Sequence, residues 1–133
     1  VSTALWPLQV AIVQALRADA TLTGLITAVH DEVPEPAPFP YVSLGSVTEQ
    51  PDDNHGQRGI AAAVVLHIWS TYRGNRECAQ ILAALDALLD RRALTVPGWK
   101  DISVAHQQAE FLRDPDPDIR HVNVRYRVWM TKT

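Results

Sequence analysis

Five histidines, one cysteine and three acidic clusters are the residues of this chain whose types and spacing could do chemistry. Asp114, Asp116 and Asp118 alternate with prolines. Calcium loops also set carboxylates at alternate positions, but they add a glycine at the sharp bend and a bidentate glutamate downstream. Neither accompanies this run, and a proline-locked hairpin turn accounts for it. Asp52-Asp53-Asn54-His55 offers oxygen ligands and an imidazole on a loop without a rigid partner, which describes a solvated loop tip better than a metal site. His30-Asp31-Glu32 has the form of a base with its orienting acid, yet no nucleophile is tied to it by sequence. His67 and His121 fall on expected strands and could face each other, but two imidazoles fall short of a zinc site. Cys78 sits on the apolar stripe of an expected helix, where a buried core thiol belongs. HExxH, GxSxG, Walker and GxGxxG patterns are absent. The chain is therefore expected to have no catalytic residue, no cofactor and no metal.

A second set of residues carries recognition. Arg120, Arg125 and Arg127 form a basic ladder on one strand, and Trp129 shares a face with Arg125 and Arg127. The central strand offers His67 and Trp69 on its matching side. Aromatics mixed with arginine on one face are what protein interfaces favour. The formal net charge of -3 argues against a nucleic-acid partner, which normally meets a basic patch.

These side chains need a scaffold. The central stretch runs from Ile60 to Leu89 and reads as a long strand, a break at Gly74-Asn75 and a long amphipathic helix. Ile60, Val64, Leu66 and Ile68 fall on one side of the strand, while Ala61, Ala63, Val65, His67 and Trp69 fall on the other. Both sides are largely apolar, as in the middle of a sheet. Asn75 is positioned to cap the helix, with Glu77 in its first turn and Arg91-Arg92 in its last. Cys78, Ile81, Leu82, Leu85, Leu88 and Leu89 make its stripe, and Asp86 and Asp90 lie outside it.

Upstream, residues 4–18 form a first helix with Thr3 as cap and Leu5, Leu8, Ile12, Ala15 and Leu16 as its stripe. Thr21 can start a short turn. Residues 30–40 carry four prolines and make an extended connector. A first strand spans Tyr41 to Thr48, and a long polar loop from Gln50 to Gly59 follows it. Past the second helix, a strand covers about Ile102 to Leu112. The last strand alternates cleanly, with Val122, Val124, Tyr126, Val128 and Met130 facing one way. The expected fold is α+β: two main helices on an antiparallel or mixed sheet of about four strands, in the order α-β-β-α-β-β. At 133 residues, 47% hydrophobic and 20% charged, residues 1–133 fit one domain of ordinary composition. No apolar run approaches the ~18 residues of a membrane span, no signal peptide is visible, and a lone cysteine suits a reducing compartment.

The order and spacing of these pieces resemble the tail-completion (tail-terminator) proteins of long-tailed phages, prophages and gene-transfer agents. The resemblance covers almost the whole chain. It rests on Leu16-Arg17-Ala18-Asp19, on His30-Asp31 to Pro34, and on Pro40-Tyr41-Val42-Ser43-Leu44-Gly45. It continues through Leu66-His67-Ile68-Trp69-Ser70 with Gly74, the Ala79 to Leu89 helix, Arg113-Asp114-Pro115-Asp116, and Arg120-His121 with the Val122 to Trp129 strand. The chain departs from the family at Asp116-Pro117-Asp118, where a glycine turn is expected.

The resemblance implies a structural, non-enzymatic assembly protein of the virion or phage-like particle. Such proteins form a ring, usually a hexamer, on the last ring of the tail tube. They stop tube growth and present a surface to the head-side connector. The implied partners are other copies of the chain, the major tail tube protein and the connector or stopper protein. No membrane and no sequence-specific nucleic acid is implied, although DNA has to pass through the lumen. Assembly would start in the host cytoplasm and end at the tail-neck junction. The interface residues expected on this reading are Asp52, Asp53, His55, Arg58, Trp69, Arg125, Arg127 and Trp129. The Asp52 to Arg58 loop would meet a neighbouring ring and order on assembly. Arg125, Arg127 and Trp129 would lie on a lateral or axial interface. Two alternatives remain: another neck or adaptor protein of the same junction, and a small metal-dependent enzyme using His67 or His121.

Overall fold

In the computed structural model, which describes residues 3–133, the element order is α1 (Leu5–Ala18), α2 (Ala20–Thr23), β1 (Ala28–His30), β2 (Tyr41–Pro51), β3 (Gly59–Ser70), α3 (Arg76–Leu89), β4 (Trp99–Arg113) and β5 (Arg120–Lys132). The class is α+β as expected, but the sheet has five strands and the order is β1-β2-β3-β5-β4. β3 is central, which explains why both of its sides are apolar. The strand missing from the sequence reading is β1. Its three residues are too few to show a period, and only Val29 is buried. It pairs in parallel with β2 through Ala28–Tyr41, Val29–Val42 and His30–Ser43. His30 therefore belongs to the sheet, and the proline connector begins after it.

All other strand pairs are antiparallel. One face of the sheet carries Val42, Ile60, Val64, Leu66 and Ile68, joined by Val122, Val124, Tyr126, Val128 and Met130, all buried. α1 covers it with Leu8, Ile12 and Leu16, and α3 with Cys78, Ile81, Leu85 and Leu89. Leu82 and Leu88 pack at the margin, whereas Leu5 stays exposed. Burial first, and Glu77 second, push the Cys78 thiol up to about 11, so it stays a protonated core group.

The helix ends differ from expectation. Ala4 is the N-cap of α1, and a strand completes the cap: Ala4 N donates to Glu49 Oε2 of β2 at 2.9 Å. The Thr3 hydroxyl donates to the other Glu49 oxygen and accepts from Leu5 N. Asp19, not Thr21, caps α2 by accepting from Leu22 N at 2.9 Å. Asn75 holds the N-cap position of α3 without a side-chain bond, while Ser70 donates to Glu77 Oε1 at 2.6 Å. Arg91 lies beyond the helix at φ 57, and its N–H donates to Val104 O at 2.8 Å.

Asp86 and Asp90 are not solvated bystanders. Asp86 Oδ1 accepts from the buried Tyr126 hydroxyl at 3.0 Å and meets His106 Nδ1 at 2.7 Å. Asp90 Oδ1 accepts from His106 N at 2.7 Å. Together they tie α3 to β4 and β5. Desolvation, with Asp86 alongside, raises the Tyr126 phenol far above its ordinary pKa.

The expected long loop between β2 and β3 is a closed hairpin tip. Asn54 and Gln57 exchange backbone hydrogen bonds of 2.9 and 2.7 Å, and Asp52 N donates to Gly59 O at 2.9 Å. Between them His55 (φ 40) and Gly56 (φ 83) are both left-handed, as a two-residue I′ turn requires. This tip is bonded within its own chain.

Candidate functional site

The two main helices cover one face of the sheet, and the other carries none. This bare face is built by the period-two alternation of β2, β3, β4 and β5, so its layers follow from register. At one end Tyr41, Trp69, His121 and Leu112 form a row. Ser43, His67, Asn123 and Glu110 come next, followed by Ser46, Val65, Arg125 and Gln108. The far end holds Thr48, Ala63, Arg127 and Ala105, then Gln50, Ala61, Trp129 and Ser103.

The first end is an aromatic and imidazole cluster. Trp69 stacks on His121 with ring centroids 3.8 Å apart and planes at 9°. Its indole N–H donates to Ser43 Oγ at 3.0 Å. Tyr41 stacks against Trp69 at 6.3 Å. His67 Nδ1 lies 2.7 Å from His121 Nε2, so one of the two nitrogens donates and the other accepts. Burial lowers both imidazole pKa values; at His121 the neighbouring His67 adds to the lowering and the Asp114 carboxylate opposes it. His67 also fixes Gly45: a Cβ there would collide with the His67 ring at Nε2. Gly45 sits at the β-bulge between Leu44 and Ser46, a place where an isolated strand glycine is informative.

The far end is different. Ala61 and Ala63 floor a trough of about 170 Å³ walled by Thr48, Gln50, Arg125 and Arg127. The Arg127 guanidinium lies over the Trp129 ring at 5.4 Å. Neither Arg125 nor Arg127 has a carboxylate within salt-bridge distance among the described residues.

The expected interface residues thus separate into two groups. Arg125, Arg127 and Trp129 are neighbours on β5 and lie toward the same end as Asp52, Asp53, His55 and Arg58 of the hairpin tip. Arg58 O accepts from Lys132 N at 2.8 Å, and Asp53 Oδ1 accepts from Gly59 N at 3.1 Å. Trp69 shares the bare face but stands at the other end, eight residues along β3 from Trp129's partner Ala61. Tyr41 and Gly45 were missed by sequence reasoning; the glycine inside a strand pattern was the available signal.

His67 and His121 do face each other, but their ring nitrogens bond to one another. Among the described residues, no three His, Cys, Asp or Glu side chains converge as a metal-binding group. Asp114 Oδ1 accepts from Asp116 N and Asp116 Oδ1 from Asp118 N, each at 2.9 Å, so these carboxylates shape the β4–β5 turn. No described helix is long and apolar enough to cross a membrane.

Comparison with known proteins follows the same lines. A family model described as Tail completion protein gp17 matches residues 10–131. A solved chain from "Virion of native gene transfer agent (GTA) particle" is similar over 98% of this chain and 99% of that one. It has 28% sequence identity and a TM-score of 0.86. No curated relative matches the chain.

Proposed function

Since the chain belongs to the tail completion protein gp17 family, and so to a family with a structural role in tail assembly, we propose that it forms a closed ring at the head-proximal end of a tail tube. The ring, a hexamer on this reading, ends tube growth and makes the joint to the head-side connector. It works in a virion or phage-like particle, as its similarity to a gene transfer agent virion chain supports. DNA passes along its axis without sequence-specific contacts, and the chain transforms no substrate.

The observation that carries this reading is the bare face. It keeps a half-buried aromatic cluster at one end and two arginines without acidic partners toward the other. A monomer gains nothing by leaving these groups at the surface, whereas an assembly covers them. The two ends suit two axial neighbours. One contact would use Asp52, Asp53, His55 and Arg58 of the hairpin tip with Arg125, Arg127 and Trp129. The other would use Trp69. One end meets the tube protein and the other the connector.

Charge reversal tests it. Arg58→Glu with Arg127→Glu, both on exposed or half-exposed side chains, leaves the far-UV spectrum and melting temperature of the parent. Cosedimentation with isolated tail tubes or with connector-bearing heads falls roughly tenfold or more. Unchanged cosedimentation with both partners would refute the assignment.

A further inference from the structure

The sheet has two unfinished edges. On β4, Val104 O accepts from Arg91 N and His106 N donates to Asp90 Oδ1, so these outward groups are taken by the turn after α3. A bulge follows between His106 and Gln108. Beyond it Gln108, Glu110 and Leu112 turn their backbone groups to Arg125, Asn123 and His121 of β5. Ala109, Phe111 and Arg113 therefore point outward, and none of their backbone groups has a partner among the described residues. On the opposite edge, β1 covers only Tyr41 to Ser43 of β2. Past the Gly45 bulge Ser46, Thr48 and Gln50 turn to β3. Val47, Glu49 and the carbonyl of Pro51 are left facing outward without partners among the described residues.

The two free stretches match in length, in hydrogen-bonding phase and in the side on which their side chains lie. Resting on the ring reading above, we propose that the β4 edge of one copy pairs antiparallel with the β2 edge of the next. Ala109 meets Pro51, Phe111 meets Glu49 and Arg113 meets Val47. The clip of Asp90 and Arg91 limits the seam at one end, and β1 limits it at the other. This contact is heterologous, so it repeats around a ring.

The geometry of the seam fits a closed wall. Phe111 shares a row with Val122 and Ile68, whereas Glu49 shares a row with Ala62, six residues away along β3. Six residues at about 3.3 Å, set against four strand spacings of about 4.8 Å per copy, tilt the strands by roughly 45°. Closed barrels tilt by about 35–45°.

The direction of the step also decides which face is inside. Seen from the helix side with β5 running upward, the backbone groups of Val122, Val124 and Tyr126 point right, toward β3, as L-residues facing the viewer must. β4 is then on the left, and crossing from it leads to a higher level on the next copy. That matches the right-handed coiling imposed by sheet twist only if the helices are outside. The bare face then turns toward the axis, and its two ends, Trp69 at one and Arg127 with Trp129 at the other, lie at the rims where the axial neighbours stack. On the outside, Phe111 (52% exposed) comes against the first turn of the next α1, where Leu5 (39%) and Trp6 (66%) are also exposed. Glu49 anchors that turn to this edge.

In this register Glu110 and Gln50 of adjacent copies form a non-hydrogen-bonded pair, about 4.5 Å between Cα atoms, within disulfide reach. Within one copy β2 and β4 are separated by β3 and β5, so the same two positions cannot meet. Gln50→Cys with Glu110→Cys, oxidised after assembly alone or on tail tubes, is expected to give a ladder of disulfide-linked multimers. Either single variant gives none, and Cys78 stays buried. Val47→Pro removes an outward N–H and no ladder bond, so the parent's far-UV spectrum persists while self-association weakens roughly tenfold. An assembled double variant without intermolecular disulfides, or a Val47→Pro chain that assembles like the parent, overturns the seam and leaves the ring. A parent that never assembles overturns both.

Discussion

His67 and His121 illustrate how far residue types alone can be read. Their placement on facing strands was legible from alternation, because both fall on the side opposite the aliphatic set. The 2.7 Å contact was not, since it depends on β3 and β5 being neighbours. The pair has a titration consequence. Burial holds both imidazoles below their ordinary value of 6.5, and the facing nitrogens leave no room for two bound protons. The unfolded chain therefore binds more protons than the folded one as pH falls below about 6.5. The stability is complete above that pH and is lost as pH drops through the folded values. Thermal melts between pH 7 and pH 5 are expected to show a falling Tm in the parent and a flatter profile in His67→Gln with His121→Gln. Parallel profiles would exclude the pair as the cause. Asp86 shows the opposite limit. Helical spacing put it outside the stripe, and nothing local announces that the Tyr126 phenol reaches it from the sheet.

At the level of elements, long periodic segments were legible and short ones were not. α1, β3, α3 and β5 lie where periodicity put them, because each offers several turns or alternations of one pattern. β1 has three residues, and a three-residue strand carries no period. In sequence the polar run from Gln50 to Gly59 has the form of a loop, because its hairpin signal is His55-Gly56, a weaker left-handed pair than Asn-Gly. Caps made between distant elements were equally hidden. Glu49 caps α1 from a strand more than forty residues away in sequence, satisfying Ala4 N and Thr3. Glu49→Ala should cost about 1 kcal/mol in urea denaturation, the ordinary worth of an N-cap carboxylate. It should also speed amide exchange in the first turn of α1. No change in exchange there would mean that packing alone holds the helix end.

For the molecule as a whole, fold class and a strand face shared by Arg125, Arg127 and Trp129 were legible, while strand order was not. Order decides which edges are free, and free edges decide which way copies join. The sheet divides labour by parity. Along β3 and β5, the even-numbered residues from Ile60 to Ile68 and from Val122 to Met130 fill the core, and the odd-numbered ones line the bare face. Val124→Ala should cost about 2 kcal/mol in chemical denaturation. Arg125→Ala should stay within about 0.5 kcal/mol of the parent and show its effect in particle yield. Equal stability losses at both positions would contradict the division. If it holds, two selective pressures are interleaved at every second codon of these strands. Lineages could then redesign what the protein docks with while leaving its folding untouched, drifting along one set of positions as the other stands still.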